Sequence, residues 1–502
     1  MTNPLYDELF GAHAGKDTPF LLLPGGAVVT HADFLARAGQ FAGAIRGAGL
    51  APGDRLAAQV EKCPDALALY AACAQTGVVF LPLNTGYTAS ELSYFIGDSG
   101  AKLAVVDPAK AGALAPVAEA AGAAMMTLGA SGDGSLVEAA DALAPDMDVA
   151  ERTGEDLAAF LYTSGTTGRS KGAMLSQDNL LSNARTLAEL WRFTAEDVLI
   201  HALPIFHTHG LFVATNVTLV AGGALAFEAK FDLDRLIELL PKATALMGVP
   251  TFYTRLLDDE RFTKELCANM RLFISGSAPL LAETHVRFEE RTGHRILERY
   301  GMTETNMNVS NPYDGERRAG TVGLPLPGVE LRIMGDDGPL PAGEVGMIEV
   351  RGPNVFKGYW GMPEKTAAEL RADGWFITGD LGVVDADGYV SIVGRNKDLV
   401  ISGGFNIYPK EIELVLDDQP GVLESAVIGV PHPDFGETPV GVVVAEPGAS
   451  PDLGALDAAC REALAAFKRP RKLVVVDALP RNTMGKVQKN ILRDEYARLF
   501  TG

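Results

Sequence analysis

Cysteine is scarce in this chain, which has only Cys63, Cys73, Cys267 and Cys460 among its 502 residues. These four lie far apart and never form a Cys-x-x-Cys pair, so neither a disulfide framework nor a zinc site is expected. There is no run of about 18 uninterrupted apolar residues, and we therefore expect no transmembrane helix. The stretch Met1–Gly15 lacks a basic segment followed by an apolar core, so we expect no secretory signal and a cytoplasmic location.

Positive charge is in deficit, because 43 lysines and arginines stand against 64 aspartates and glutamates, giving a net charge of −21. Nucleic acid is therefore disfavoured as a partner, since phosphate backbones are bound by basic surfaces. A polyanionic ligand would need a local basic patch. The stretch from residue 461 to residue 498 supplies one in sequence, although a solvated helix face would have the same composition.

What the chain does have is apolar material, with 47% hydrophobic residues, enough for about two to four domains at this length. Helix-like and strand-like segments alternate over the first 150 residues, which predicts a doubly wound α/β layer. The segment Phe34–Ala48 is predicted as a helix, and Arg55–Val60 and Val78–Pro82 as strands. From Asp398 the chain starts again as a small unit, and we place two domains at residues 1–396 and 397–502.

One stretch concentrates hydroxyls, glycines and positive charge, namely Tyr162–Gly172 (YTSGTTGRSKG). An apolar run, Leu157–Tyr162, precedes it, and helical spacing follows over residues 179–190, so we predict a loop between a strand and a helix. Glycines allow close approach of the backbone to a ligand, and hydroxyls, N–H groups and a lysine suit phosphate oxygens. A flexible surface loop is the alternative. A Walker P-loop is excluded, because Gly168 is followed by Arg-Ser-Lys-Gly.

Three histidines fall within nine residues in HALPIFHTHG, His201–Gly210. No acidic residue accompanies them, so a metal site is disfavoured. His207 and His209 are predicted to share one face of an extended segment, either as an ordinary loop or as the wall of a pocket. Two strand-to-turn segments, Leu272–Leu280 and Ile296–Thr305, are predicted to bring polar residues to the carboxyl ends of strands, where open α/β sheets bind ligands.

These stretches resemble the adenylate-forming superfamily, which comprises the acyl-CoA synthetases and their relatives. Three motifs carry the resemblance in the family's order, namely YTSGTTGRSKG, the segment Asp387–Pro409 and PRNTMGKVQK from Pro480. The resemblance implies an α/β fold with a large N-terminal domain of doubly wound sheets, a β-barrel-like subdomain and a small mobile α+β C-terminal domain. It also implies Mg²⁺ as cofactor, ATP and CoA as co-substrates, and release of AMP and pyrophosphate.

For the nucleotide, the resemblance implies contacts from four segments. Those in the phosphate loop are Thr163, Ser164, Gly165, Thr166, Thr167, Gly168 and Lys171. Those in the turn after Leu272 and in ERYGMTET are Ser277, Glu298, Arg299, Tyr300, Gly301, Met302 and Thr303. Asp380 and Arg395 would hold the ribose and a phosphate, although Asp380 alone fits an ordinary turn cap. Thr166 and Glu304 would bind Mg²⁺, for which hard oxygen ligands are apt.

Lys486 matches the family's catalytic lysine, and Thr303 and Glu304 complete the implied catalytic set. Attack of a carboxylate on the α-phosphate of ATP would give an acyl-adenylate, from which a thiol then displaces AMP. Lys486 would supply positive charge to the reacting oxygens in the first step, where no base is needed because the nucleophile is already ionised. Enzymes that acylate and deacylate Lys486 are a further class of partner that we predict.

For the second step, the resemblance implies that the small domain rotates about a hinge at Lys397. This rotation would bring a CoA-binding loop into the site. The CoA contacts implied are Ser402, Gly403, Gly404 and Arg461.

The acid is suggested by HTHGLFVATN and YGMTETNMN, which resemble the malonyl-CoA synthetases, a small-dicarboxylate branch. A second carboxylate would need an arginine, since an unpaired buried charge is costly and a guanidinium binds both oxygens. We predict Arg287 for this role, with Arg291, Arg255 and Arg235 as the next choices. The predicted acyl pocket further contains His207, Thr208, Ser277 and Met307.

Within that pocket Thr208 and Met307 would limit the depth to malonate or methylmalonate. Three alternatives stay open at this point. The scaffold could activate a medium-chain or aryl acid, it could load a carrier protein, or the chain could be a kinase or ATPase of another fold.

Overall fold

The computed structural model describes residues 3–163, 170–402, 405–482 and 485–500. Two compact units make up the chain. The first consists of Met1–Glu330 and Val350–Phe376, and the second of Leu331–Glu349 and Ile377–Gly502. The domain boundary predicted between residues 396 and 397 falls inside the second unit and stays a prediction.

The first unit is an α/β body with two sheets, which confirms the predicted fold class. Its strands are β1 Pro19–Leu22, β2 Val28–Thr30, β3 Arg55–Gln59, β4 Val79–Pro82, β5 Leu103–Val106, β6 Ala124–Thr127, β7 Leu157–Thr163, β8 Lys171–Ser176, β9 Val198–His201, β10 Ala224–Phe227, β11 Ala245–Gly248, β12 Leu272–Ser275, β13 Leu297–Met302, β14 Asn306–Ser310 and β15 Leu324–Pro325. One sheet has the order β15–β14–β13–β12–β11–β9–β10–β1–β2, and the other has the order β6–β5–β3–β4–β7–β8.

Helices cover these sheets. They are α1 Pro4–Leu9, α2 His31–Gly47, α3 Pro64–Thr76, α4 Ala89–Ser99, α5 Ala111–Ala120, α6 Ser135–Asp141, α7 Gln177–Leu190, α8 Asn216–Ala221, α9 Leu233–Leu239, α10 Pro250–Leu257, α11 Ala282–Thr292 and α12 Pro363–Glu369. A π-helix, His209–Thr215, leads directly into α8. A cap explains where α2 begins. The helix starts three residues before the predicted Phe34, because Thr30 and Asp33 form a capping box in front of it.

The second unit carries the remaining elements. They are β16 Glu330–Gly335, β17 Gly338–Pro339, β18 Gly346–Arg351, β19 Phe376–Val384, β20 Val390–Arg395, β21 Val400–Ser402, β22 Phe405–Ile407, α13 Pro409–Asp417, β23 Val422–His432, β24 Gly436–Ala445, α14 Leu453–Ala463, β25 Lys472–Val476 and α15 Lys489–Tyr496. One sheet runs β17–β16–β18–β19–β20, and another runs β22–β21–β24–β23 with β25 added beside β24. No helix among the described residues is long and apolar enough to cross a bilayer.

The surroundings of the predicted phosphate loop differ from the prediction. The loop joins two antiparallel strands, β7 and β8, in which Thr163 pairs with Lys171 and Tyr162 with Gly172. Helix α7 begins only after β8, at Gln177. The second strand was missed because KGAMLS is short and shows no alternation of polar and apolar residues.

The histidine-rich segment also differs from the prediction. Thr208 has helical dihedral angles, with φ −44° and ψ −46°, and the π-helix begins at His209. The predicted extended segment, with His207 and His209 on one face, is therefore wrong. His201 instead ends β9, where Met247 of the neighbouring strand pairs with it.

The carboxyl ends of the parallel strands lie side by side along one end of the larger sheet, which we call its carboxyl edge. Gly248 of β11 pairs with Ser275 of β12, which in turn pairs with Glu298 of β13. Residues that follow β9, β11, β12 and β13 therefore meet at this edge, where open α/β sheets bind ligands.

At the opposite end of these strands, the ion pair between Asp197 and Arg271 holds their amino ends together. Asp197, just before β9, accepts hydrogen bonds from Arg271 Nε and Nη2, both at 2.7 Å, from Thr244 Oγ1 at 2.6 Å and from the Thr194 backbone at 2.8 Å. Thr244 precedes β11 and Arg271 precedes β12. Burial alone would raise the pKa of Asp197, but the hydrogen bonds from Arg271 and Thr244 outweigh it and lower that pKa. One carboxylate thus ties the amino ends of three strands.

We expect Asp197→Asn to destabilise the protein by about 3 kcal/mol at pH 7, because it leaves the Arg271 guanidinium without its charge partner. Since the pKa of Asp197 is lowered in the folded state, this stabilisation is fully present above about pH 4, the ordinary aspartate pKa. It is lost as the pH falls through the lowered value. Urea unfolding at pH 7 and at successively lower pH measures the difference between the two proteins.

The matched control is Asp457→Asn, which removes an exposed ion pair with Arg461 and should change stability little. Equal stability of the Asp197 variant and the native chain at pH 7 would contradict the role assigned to this carboxylate.

Candidate active site

A strained turn follows β12 at the carboxyl edge of the larger sheet. Ser277 has φ 71°, a left-handed conformation that non-glycine residues seldom adopt. The preceding residue must be glycine, because a Cβ atom at Gly276 would lie 2.4 Å from Arg299 Cζ. The side chain of Glu298 is linked to the turn as well, since its Oε1 accepts a hydrogen bond from the Leu280 backbone at 3.2 Å. The turn is therefore packed directly against the guanidinium of Arg299.

The histidine segment meets this turn. His209 Nδ1 lies 3.1 Å from Ser277 Oγ, and His209 is almost fully buried. Burial lowers the pKa of His209 well below its ordinary value, and the nearby positive charge of Arg299 lowers it further. The imidazole is therefore neutral at pH 7 and has one hydrogen-bond donor and one acceptor.

Several polar atoms in this cluster have no hydrogen-bond partner among the described residues. They are Thr208 Oγ1, His209 Nε2, and Arg299 Nε and Nη2, and all are shielded from solvent. Arg299 is only 3% exposed, and burial lowers the pKa of its guanidinium. Because native structures seldom leave buried polar groups unsatisfied, the cluster is suited to receive a polar and negatively charged ligand group.

Met307 lies on β14, the strand beside β13. In the β13–β14 hairpin Gly301 pairs with Met307, and a Cβ atom at Gly301 would lie 2.6 Å from Met307 Cε and 1.8 Å from the Asn306 carbonyl oxygen. The Asn183 side chain fixes the strand from the other side, since its Nδ2 donates to the Met307 carbonyl at 2.8 Å. Met307 is therefore held in place by both neighbours.

A second cluster surrounds Lys171, near the end of the predicted phosphate loop. Lys171 Nζ lies 3.2 Å from Glu369 Oε2 and 4.0 Å from the centroid of the Tyr359 ring. The Tyr359 hydroxyl lies 2.6 Å from Glu369 Oε2 and 3.0 Å from Glu304 Oε1. The structure thus links Lys171 to Glu304 through two residues that the sequence did not single out.

Among the described residues no group of three or more histidine, cysteine, aspartate or glutamate side chains is arranged to hold a metal ion. Glu304 is a buried carboxylate and fits the Mg²⁺ role predicted for it, because Mg²⁺ is commonly bound by one or two carboxylates together with substrate phosphates. Thr166, the other predicted ligand, lies outside the described residues. The magnesium assignment stays a prediction.

The second unit holds its own predicted residues. Asp380 and Arg395 are cross-strand partners in β19 and β20, with Arg395 Nε 2.8 Å from Asp380 Oδ1. Burial, and next the charge of Arg395, lower the pKa of Lys397. Ser402 is buried at the end of β21. Arg461 is exposed on α14, where its Nε lies 2.6 Å from Asp457 Oδ2.

Lys486 lies on a tight turn whose backbone is fixed by its neighbours. The backbone N–H of Lys486 donates to Asn482 Oδ1 at 3.0 Å, and the Asn482 N–H donates to the Lys486 carbonyl at 3.0 Å. Gly485 has φ 75°, which glycine adopts without strain. Arg481 Nη1 donates to the Gly485 carbonyl at 2.5 Å.

Other predicted residues are placed as follows. Arg287 lies on α11 with a side chain that is 53% exposed, and its Nη1 is 3.5 Å from Glu283. Ser164, Gly165, Thr166, Thr167 and Gly168 of the phosphate loop, and Gly403 and Gly404 of the CoA loop, lie outside the described residues. The remaining predicted arginines have structural contacts, Arg235 with Glu228, Arg255 with the Phe231 ring and Arg291 with the Phe262 carbonyl. All of these assignments stay predictions.

The sequence reasoning missed a partly buried lysine beside the histidine segment. Lys62 Nζ lies 2.8 Å from both Nδ1 and the carbonyl oxygen of His201, and His201 Nε2 lies 2.8 Å from the Gly210 carbonyl. Burial lowers the pKa of Lys62 well below its ordinary value. Lys62 thereby connects the end of β9 to the π-helix, and the only sequence signal was a lone lysine after an apolar strand.

The chain is similar to known enzymes over most of its length. Residues 11–360 match the AMP-binding enzyme family, and residues 411–486 match the C-terminal domain of AMP-binding enzymes. A feruloyl-CoA synthase from Amycolatopsis is 37% identical over 477 residues, 94% of this chain and 95% of that protein. A malonate–CoA ligase from Arabidopsis thaliana is 37% identical over 451 residues, 83% of this chain and 74% of that protein. The crystal structure of ATP-bound MatB from Rhodopseudomonas palustris is 56% identical, covers 100% of both chains and has a TM-score of 0.98.

The unsatisfied guanidinium leads to a stability prediction. We expect Arg299→Met to leave the free energy of unfolding unchanged or to raise it by about 1 kcal/mol or more, because methionine fills similar space without a buried charge. Arg271→Met is the matched control, since it removes a partly buried arginine that is paired with Asp197 and should destabilise the protein. Urea unfolding of both variants without ligand gives the comparison, and equal destabilisation by the two changes would contradict this interpretation of Arg299.

Proposed function

The chain belongs to the family of AMP-binding enzymes and is an AMP-forming acid–CoA ligase, and we propose that its acid is a small dicarboxylate, malonate or methylmalonate. ATP and CoA are the co-substrates of such a ligase. The acid is proposed to be selected by Thr208, His209, Ser277 and Arg299, which we call the acyl cluster.

One observation carries the dicarboxylate assignment. Arg299 is buried beside Ser277 and His209, and two of its nitrogens have no hydrogen-bond partner within the described ranges. A guanidinium in this state attracts a carboxylate, which can accept two parallel hydrogen bonds. A monocarboxylic acid has only its reacting carboxylate, so it would leave the guanidinium unpaired, whereas the second carboxylate of malonate would satisfy it.

We propose Arg299 for the role of carboxylate anchor in place of Arg287. The Arg299 side chain is enclosed, while the Arg287 side chain is more than half exposed and lies near Glu283. Thr208 Oγ1 is a further buried atom that can donate to the same carboxylate. His209 supports Ser277, which is positioned to make the next contact. The predicted nucleotide role of Arg299 is thereby replaced by an acyl role.

Two buried side chains are proposed to limit the length of the acid. Met307 is 2% exposed and its terminal methyl group faces the space above Gly301. Thr208 is equally buried. We propose that both side chains border the acid and limit its length, which favours a three-carbon diacid or its 2-methyl derivative.

The similar proteins support this acid and also supply its main competitor. The malonate–CoA ligase from Arabidopsis acts on the proposed acid, but the feruloyl-CoA synthase from Amycolatopsis is equally identical and acts on an aryl acid. Identity alone therefore does not choose between them. The buried charge of Arg299 favours the dicarboxylate, since an aromatic ring would not compensate that charge as a carboxylate does.

The protein's own residues divide the work of the proposed reaction. Arg299 orients the acid by its distal carboxylate, which leaves the proximal carboxylate free to attack the α-phosphate of ATP. Lys486 supplies positive charge to the reacting oxygens as this bond forms and pyrophosphate leaves. Glu304 would hold Mg²⁺, which neutralises charge on the phosphates when it is bound. Asp380 and Arg395 would contact the ribose and a phosphate.

The thiol step uses the remaining predicted residues. CoA sulfur attacks the acyl carbonyl, the bond to the phosphate oxygen breaks and AMP leaves. We propose that Lys397 is the hinge between domains 1–396 and 397–502, and that Ser402 and Arg461 contact CoA. Acylation of Lys486 by other enzymes stays a prediction.

A substrate panel tests the proposal. With Mg-ATP and CoA, release of AMP and pyrophosphate would be followed for malonate, methylmalonate, succinate, acetate, butyrate, octanoate and 4-coumarate. We expect malonate or methylmalonate to be preferred over acetate and butyrate by about 10⁴-fold in kcat/KM, the range reached by sites that recognise a polar group. Arg299→Met should lower kcat/KM for the diacid by about 10³-fold. It should also raise the ratio of kcat/KM for butyrate to kcat/KM for the diacid.

Arg287→Ala is the matched control, because it removes an exposed arginine from the same unit. We expect it to change kcat/KM by less than about threefold, as for other exposed ion pairs. A large loss in the Arg287 variant with a small loss in the Arg299 variant would transfer the anchor to Arg287. Preferential turnover of 4-coumarate or octanoate would rule out the dicarboxylate assignment, and release of ADP would rule out the ligase.

A further inference from the structure

Lys171 is already engaged by a carboxylate. Its Nζ lies 3.2 Å from Oε2 and 3.4 Å from Oε1 of Glu369, the last residue of α12. The ammonium group also lies 4.0 Å from the centroid of the Tyr359 ring. With a side chain that is only 13% exposed, Lys171 is held in one place by these two neighbours.

Glu369 has other partners besides Lys171. Lys365 Nζ lies 2.7 Å from Oε1 of Glu369, one helical turn away, and the Tyr359 hydroxyl donates to Oε2 at 2.6 Å. Burial alone would raise the pKa of Glu369, but the hydrogen bonds from Lys365, Tyr359 and Lys171 outweigh it and lower that pKa. Glu369 is therefore a carboxylate anion at pH 7, and it would remain paired with Lys365 if Lys171 moved away.

Tyr359 connects this pair to the predicted magnesium ligand. Its hydroxyl has a single proton, and the shorter contact, at 2.6 Å, is with Glu369 and not with Glu304 at 3.0 Å. The backbone holds Tyr359 in place, since it pairs with Ala173 of β8 in an isolated bridge. Two carboxylates and one lysine thus face each other at the start of β8.

We propose that Glu369 is an internal counter-ion of Lys171 that sets the affinity of this site for polyphosphate. Phosphate oxygens of ATP and the carboxylate of Glu369 compete for the same ammonium group, so the native glutamate weakens the binding of ATP and of pyrophosphate. Weak binding of pyrophosphate helps that product to leave after the acyl-adenylate forms. The proposal rests on the nucleotide role of Lys171 and is independent of which acid is activated.

Charge explains why the exchange is inexpensive. When Lys171 turns to a phosphate, Glu369 retains its contacts with Lys365 and Tyr359, so no buried charge is left unpaired. The carboxylate then stands near the phosphate and repels it, since charges of like sign at short distance interact strongly where water is excluded. Both effects act on ATP and on pyrophosphate, because each carries several negative charges.

The test is a gain of affinity. The dissociation constants of Mg-ATP and of Mg-pyrophosphate would be measured by titration calorimetry on the full chain without acid or CoA. Glu369→Gln keeps the shape and still accepts the Tyr359 hydrogen bond. We expect it to bind both ligands about fivefold to tenfold more tightly, the low end of the usual range for coupled sites, and to be inhibited by pyrophosphate at correspondingly lower concentration.

Two further variants keep the test sharp. Lys365→Met removes the competing cation from Glu369, which should strengthen its hold on Lys171 and weaken the binding of both ligands. Lys171→Met should weaken binding strongly, and in the double variant it should abolish the gain of affinity that Glu369→Gln causes alone. Urea unfolding of each protein shows that the chain is folded in the measurement.

Three results would overturn the proposal. Weaker binding in Glu369→Gln would mean that the glutamate holds Lys171 ready for phosphate and does not compete with it. Unchanged affinity would mean that the pair has no influence on the ligands. Unchanged affinity in Lys171→Met would remove the premise that this lysine binds phosphate, while leaving the acid assignment untouched.

Discussion

The buried carboxylate of Asp197 fixes the geometry on which the proposed acyl cluster depends. By binding Arg271 and Thr244, it holds the amino ends of β9, β11 and β12 level. Each of these strands has four residues, so their carboxyl ends come out level as well, about 13 Å away at the usual rise per residue. The turn with Ser277 and the histidine segment both start from these ends. A structural ion pair on one edge of the sheet therefore sets distances on the other edge.

Buried positive charge accumulates on that functional edge. Arg299 is enclosed and Lys62 is partly buried, and burial lowers the pKa of each. The neutral imidazole of His209 lies beside the hydroxyl of Ser277. The Arg299 guanidinium, with two nitrogens that have no partner among the described residues, is costly without a bound anion and becomes compensated when one binds, which is the expected pattern at a site that departs from the rules of a stable core. Lys171 differs from Arg299 in this respect, because the carboxylate of Glu369 already neutralises its charge.

The sequence predicted the parts of the molecule that local patterns encode. Apolar runs and helical spacing predicted several strands and helices of the first unit, among them β3, β4 and α2, and the motif residues Lys171, Glu304 and Lys486 were identified by resemblance. It did not predict β8, because a six-residue strand beside glycines has no periodicity. It also missed the burial of Arg299, since the alternation of a strand does not tell which arginine faces a closed space. Arg287 was preferred because it follows the ligand-binding turn in sequence, whereas Glu369 lies 198 residues from Lys171 and shares no motif with it.

The π-helix at His209–Thr215 has a consequence for how such a pocket can vary. A π-turn contains about one residue more than an α-turn, so this segment carries a residue that a regular helix would not need. Loss of one residue here would convert it to an α-helix and rotate the preceding side chains, including Thr208, by about 100° around the axis. The strands on either side would keep their register, because the change is absorbed within the helix. The position of Thr208, which we propose as a wall of the acyl site, can therefore be changed by a single deletion while the sheet beneath it stays the same.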